Sequence, residues 1–186
     1  MVREKQTDKP TPSVAEKSTV TRMLLAVAAA WLLSIGVDFL LHGGVLASHY
    51  AKPSPFLLEL QEAFRRIPLG YLAFLILTLG LYWLFRQLNV RGIGAGFKLG
   101  AAAGFVVWGA LVFGLYSIST IELPLALGWW LGQSLELGLA GVVLGAEAGG
   151  TPLRRIWTIV VLAVIACIAL TIILQSIGWA PAIKVD

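Results

Sequence analysis

Five apolar runs, each long enough to cross a bilayer, dominate this chain and leave it few ways to fold. A membrane helix needs about 20 apolar residues to cover roughly 30 Å of hydrocarbon. The runs cover 23–46, 67–85, 94–118, 123–146 and 156–178. Lipid offers no partner to an open backbone group, so such runs must form helices. The expected fold is all-α: a polytopic transmembrane helix bundle of five spans, with a four-helix core plus a C-terminal fifth. Composition agrees, since 58% hydrophobic and 13% charged residues with a mean hydropathy of +0.85 exclude a disordered chain and a soluble enzyme. A single cysteine excludes a disulfide framework and a multi-cysteine zinc site.

The 14 Lys and Arg are spread over tails and loops, which argues for topology signals and against a nucleic-acid surface. Alternating spans from a cytoplasmic N-terminus place Arg3, Lys5, Lys9, Lys17, Arg22, Arg86, Arg91, Lys98, Arg154 and Arg155 inside. Only Lys52, Arg65, Arg66 and Lys184 fall outside. The asymmetry puts the N-terminus inside and the C-terminus outside. A cleaved signal peptide is the rival for the first run, but the charged stretch before it is long and the run continues into Asp38 and His42.

The chain divides into three segments. Residues 1–22 read as a disordered basic tail, 23–147 as the four-span core, and 148–186 as the fifth span with a short tail. After the break at Lys52-Pro53-Ser54-Pro55, an interfacial helix is expected near 56–66, with Glu62 and Arg66 paired at i,i+4. Folding over the bundle as a lid is the sharper reading of that helix.

Lipid tails are as apolar as leucine, so these helices must associate through close packing and interhelical hydrogen bonds. Gly92, Gly96, Gly100 and Gly104 recur at four-residue spacing in the third span, and the fourth carries Gly128 and Gly132, then Gly141, Gly145 and Gly149. The short link 119–122 forces a hairpin, so these glycines are expected to pack the two spans together in preference to a second copy. The fifth span, rich in Ile, Val, Leu and Ala, reads as lipid-facing and peripheral, with Cys167 as packing. Trp83, Trp157 and Trp179 near span ends fit interfacial belts, whereas Trp31, Trp108, Trp129 and Trp130 lie deeper.

Ionisable groups inside hydrocarbon cost several kcal/mol unless paired or neutralised, so each invites an explanation. Asp38 and His42 share a helix face at i,i+4, and Gln133 and Glu136 share one at i,i+3. At about 1.5 Å per residue, Asp38 and Glu136 differ in depth by about 12 Å, while Gln133 falls between them. The expected outer-half cluster is therefore Asp38, His42 and Gln133, with Glu136 a separate polar site. His42, with His49 seven residues on, could ligate a metal or haem, yet the scarcity of ligands makes no cofactor the expectation. No HExxH, P-loop or GxSxG is present, and Gly92-Ile93-Gly94-Ala95-Gly96 has neither the preceding strand nor the acidic partner of a dinucleotide site. No nucleophile and base stand together in sequence, so the chain does not read as an enzyme.

The string Asp38-Phe39-Leu40-Leu41-His42-Gly43, followed by Leu46 and Tyr50, resembles the first-helix signature of small uncharacterised bacterial polytopic membrane proteins, a domain of unknown function. That signature carries Asp or Asn, then Phe-Leu-Ile-His-Gly, and a Tyr several residues on. Phe97-Lys98-Leu99-Gly100 and the stretch 130–145, with Gln133, Glu136 and Gly141, look like its later helices. The resemblance covers 23–147 and implies a bacterial inner-membrane protein in which Asp38 and His42 share a purpose. It implies no activity. The expected role is a structural or partner-binding membrane protein, whose partners are the bilayer and either a second copy or another membrane protein. The alternative is the handling of a ligand, proton or small solute by the intramembrane Asp/His/Gln cluster.

Overall fold

The computed structural model describes residues 14–181. In chain order they form α1 (Val14–Leu40), a π-helical turn (Leu41–Val45), α2 (Ala47–Tyr50), α3 (Leu60–Leu88), α4 (Ile93–Ile118), α5 (Leu123–Ala148) and α6 (Leu153–Ser176). There is no strand among the described residues. Among the described residues five helices are long and apolar enough to cross a membrane, the first of these stretches being Thr19–Val45 and the second Gln61–Leu88.

The links are short and closed by local bonds. Asn89 ends α3 in the left-handed conformation, its N–H on Phe85 C=O, and Gly92 at φ 91 turns the chain into α4. Ser119 Oγ donates to Leu115 C=O and accepts from Ile121 N–H, and Pro124 opens α5. At the end of α5, Gly150 takes φ 88, and the bonds Gly150 N–H to Glu147 C=O and Thr151 N–H to Ala146 C=O form a Schellman cap. Arg22 reinforces that end: its Nε donates to Glu147 Oε1 at 2.6 Å and its Nη2 to the carbonyls of Glu147 and Thr151. A cation is well placed there, where the helix leaves its last carbonyls unpaired.

Helices α4 and α5 form the most extensive pair. Gly96 lies on Gly141, Gly100 on Leu137 and Gly138, and Gly104 on Ser134, with backbone against backbone. A Cβ added at Gly104 would sit 2.8 Å from Ser134 Cα. Gly92 N–H even donates across the pair to Gly145 C=O at 2.8 Å. Gly128 and Gly132 do not join this seam. They face Leu46 and Leu41 instead. The reason is angular: nine residues separate Gly132 from Gly141, about 2.5 turns, so the two glycine sets lie on opposite sides of α5. One side holds α4 and the other holds the first helix.

Two sequence expectations change. The tail expected over 1–22 lies partly outside the described residues, and from Val14 onward the chain is helical, with Arg22 tied to α5. No separate interfacial helix covers 56–66: residues up to Glu59 are irregular, and α3 then runs unbroken through Pro68 to Leu88. Pro68 lacks the N–H that would bond Phe64 C=O, yet the helix holds, with the Glu62–Arg66 ion pair at 2.8 Å in the turn before it. Helix α6 keeps to the edge of the bundle, as expected of a peripheral fifth span. It lies along α1, where Gly36 meets Val164 and Gly43 and Gly44 meet Thr171 and Leu174, and it buries Ile156, Val160 and Thr171. Its other face, including Ile159, Leu162, Ile165 and Ile172, is exposed.

Helix α3 is the least enclosed. From Phe74 onward it buries one stripe, Phe74, Thr78, Leu81 and Phe85, at helical spacing. Toward its start the same stripe continues through Ala63, Ile67, Gly70 and Tyr71, but there it faces a gap.

Candidate functional site: a polar cluster on the wall of an apolar cavity

The gap is a cavity of about 490 Å³ between α3 and the wall made by α1, the π turn, α4 and α5. Ala63 and Gly70 supply room, and no atom lies within 4 Å of a Cβ built on Gly70. Phe64, Ile67, Tyr71, Phe74, Phe39, Trp108 and Trp129 give it an apolar and aromatic lining. Phe39, Phe64 and Ile67 are exposed, so the cavity is open on that side. Among the described residues its polar groups are Asp38, His42, Tyr50, the Tyr71 hydroxyl, the Trp indoles and Gln133.

Sequence spacing alone places Asp38 and His42 on one face of α1. The π turn then changes the facing of the residues beyond it. Leu46 N–H reaches Leu41 C=O, five residues back, at 2.8 Å, so the turn takes in one residue more than an α-helical turn. In a regular helix His49, at i+7, would share the face of His42. The extra residue rotates His49 away and presents Tyr50, at i+8, in its place. Gly43 and Gly44 let α6 approach this widened turn, and Gln175 Nε2 donates to Gly43 C=O at 3.0 Å. From the opposite side Gly132 lets Leu41 lie close on α5, which brings Gln133 to the cluster.

Four side chains form a connected line. Trp129 Nε1 donates to Tyr50 Oη at 2.5 Å, and Tyr50 Oη lies 2.5 Å from His42 Nδ1. On the other ring nitrogen, His42 Nε2 lies 3.1 Å from Asp38 Oδ1. Gln133 Nε2 is 3.1 Å from His42 Nε2 and 3.4 Å from Asp38 Oδ1. One assignment runs Trp129 N–H to Tyr50, Tyr50 O–H to His42 Nδ1, and His42 Nε2–H to Asp38. Gln133 Nε2–H then points to the same carboxylate. Burial pushes the Tyr50 phenol well above its ordinary range, the Trp129 N–H opposes this in part, and the Asp38 charge adds to it. Tyr50 is therefore a hydrogen donor in this line and keeps its proton beside the imidazole.

Asp38, His42 and Gln133 thus come together, while Glu136 stands apart from their hydrogen bonds. Glu136 is 1% exposed, and neither carboxyl oxygen has a partner among the described residues. Gln133 Oε1 is likewise buried and unpartnered. His49 faces Glu122, with Nδ1 3.9 Å from Oε2, and does not line the cavity with His42. Both ring nitrogens of His42 are engaged, so a metal or haem iron at His42 would have to displace Tyr50 or Asp38. Among the described residues no three of His, Cys, Asp and Glu gather in one group. Of the deep tryptophans, Trp31 and Trp130 brace backbone carbonyls, Tyr71 and Phe105 respectively, and Trp108 and Trp129 face the cavity.

Sequence reasoning about charge missed Tyr50, Trp129 and the α3 wall. The signal for Tyr50 was its place eight residues after His42, which points to the site only once the π turn is known. No protein-family model, curated protein or solved structure matches this chain.

Proposed function

We propose that this chain is a multi-pass membrane protein that takes up a small amphiphile from the bilayer into the α3 cavity and holds its polar end against Asp38, His42, Tyr50 and Gln133. The observation that carries this reading is the segregation of the cavity: aromatic and aliphatic walls, one polar corner, and an open side lined by Phe39, Phe64 and Ile67. A volume of about 490 Å³ lies within the usual range of small-molecule sites. Polar groups inside apolar helices are costly, and a four-residue hydrogen-bonded line that faces open space is more than anchoring α1 requires. A structural or partner-binding role drew its support from the glycine faces, and those faces are occupied within the chain itself.

The distribution of Lys and Arg supports an N-terminus in the cytoplasm and a C-terminus outside, and the first-helix resemblance supports a bacterial inner membrane. The binding reading is tested by native mass spectrometry of the full chain purified gently from its own membrane, beside Gly70→Phe. The substitution fills the cavity without meeting a neighbouring atom at Cβ. A discrete adduct on the wild type that is lost from Gly70→Phe is expected. An adduct retained by Gly70→Phe, or none on the wild type, overturns the proposal.

A further inference from the structure

Most donors of the polar corner pair within it: Trp129 N–H on Tyr50, Tyr50 O–H on His42, and His42 Nε2–H and one Gln133 N–H on Asp38. One buried acceptor is left over. Gln133 Oε1, on a side chain only 4% exposed, has no partner among the described residues, and it belongs to a residue that lines the cavity. A buried amide oxygen left unpaired costs about 1–3 kcal/mol, so the corner favours an occupant that brings a donor.

Charge points the same way. In this arrangement His42 accepts from Tyr50 at Nδ1 and gives Nε2–H to Asp38, so the corner presents a carboxylate to the cavity. Among the described residues no Lys or Arg lines the cavity. The complement is one positive charge, and the flanking faces of Trp108, Trp129 and Tyr71 suit a cation beside an apolar body. A carboxylate-headed or phosphate-headed molecule would set like charge against Asp38. A quaternary ammonium would satisfy the charge and leave Gln133 Oε1 without its donor.

We infer that the cavity selects amphiphiles with a protonated primary or secondary amine head, held by Asp38 and Gln133, with the apolar body along α3. This inference rests on the proposed cavity binding and narrows it to a chemical class.

The test compares four probes of equal chain length on the full chain in lipid nanodiscs, with occupancy read by native mass spectrometry: dodecylammonium, dodecyltrimethylammonium, dodecanol and dodecanoate. Dodecylammonium is expected to bind the wild type at least about ten-fold more tightly than each of the others. A good charge-assisted pair contributes about that much. Asp38→Asn keeps an acceptor for His42 and should erase the preference over dodecanol. Gln133→Met keeps the bulk and should erase the preference over the quaternary head. The wild-type series stands on its own if either variant fails to fold. Alcohol or carboxylate binding as tightly as the amine, with Gly70→Phe abolishing all of it, overturns the amine inference and leaves the cavity reading intact. No binding by any probe, or binding indifferent to Gly70→Phe, overturns both.

Discussion

Tyr50 joins α2 to the cavity wall through two hydrogen bonds, and it stands outside the apolar stretch that ends at Val45. Because burial raises its phenol above the unfolded value of about 10, the folded state holds this proton more tightly than the unfolded state does. The resulting stability is fully present below about pH 10 and is lost as pH rises from there through the folded value. Two consequences are measurable. The phenolate absorbance obtained by subtracting Tyr50→Phe from wild type should be missing at about pH 10, where a free phenol is half ionised. Tyr50→Phe should also cost about 1–3 kcal/mol at neutral pH, because Trp129 N–H loses its acceptor, and that deficit should shrink in more alkaline buffer. A half-ionised Tyr50 in the folded protein at that pH would contradict the burial of its hydroxyl. At this scale the sequence was legible where a helix is regular. Asp38, His42 and Gln133 follow from i,i+4 spacing and depth, but Tyr50 and His49 exchange places because of one extra residue in the turn 41–45. Gly43 and Gly44 pack that turn on α6 and Gln175 bonds to it, contacts that no local pattern announces.

Among elements, the α4–α5 pair holds its helices at a distance that only glycine allows. Replacing Gly by Ala in a helix normally gains about 1 kcal/mol from propensity. At Gly100 the new methyl would meet the carbonyl of Leu137, a rigid backbone atom, and overpacking costs about 1–3 kcal/mol. The backbone cannot yield as a side-chain tip would, so the cost wins. Gly100→Ala should unfold at lower temperature or denaturant than wild type, whereas Gly114→Ala, whose Cβ meets nothing within 4 Å, should be neutral or slightly more stable. Equal behaviour of the two would show that the seam is looser than its backbone contacts imply. The spacing of Gly96, Gly100 and Gly104 made this seam readable from sequence, and the nine-residue offset within α5 shows why Gly128 and Gly132 belong to a different neighbour. Helix α3 was less legible. Its polar start over 61–66 has the composition of a surface helix, and only its continuity through Pro68 makes it one wall of the cavity.

For the molecule as a whole, the five long helices alternate in direction, so each link belongs to one side or the other, and the site acquires a side with them. Tyr50 and the Lys52 segment come after the upper end of α1, at the same end as the 119–122 link, where Glu122 approaches His49. The links at 89–92 and 149–152 close the opposite end, where Arg22 clamps Glu147. The proposed orientation therefore places the polar corner in the outer half of the bilayer and the Arg22 clamp at the cytoplasmic face. The chain has a single cysteine, Cys167, so labelling can be made site-specific with one background change, Cys167→Ala. In sealed cells a membrane-impermeant maleimide should label Thr120→Cys directly and Thr151→Cys only after the membrane is opened. The reverse pattern would invert the protein. The cavity geometry would survive that result, but its amphiphile would then have to enter from the inner leaflet, and the charge asymmetry of the links would need another cause. Labelling of both sites in sealed cells would mean that the helices do not all cross, and that the cavity lies against water and not against lipid.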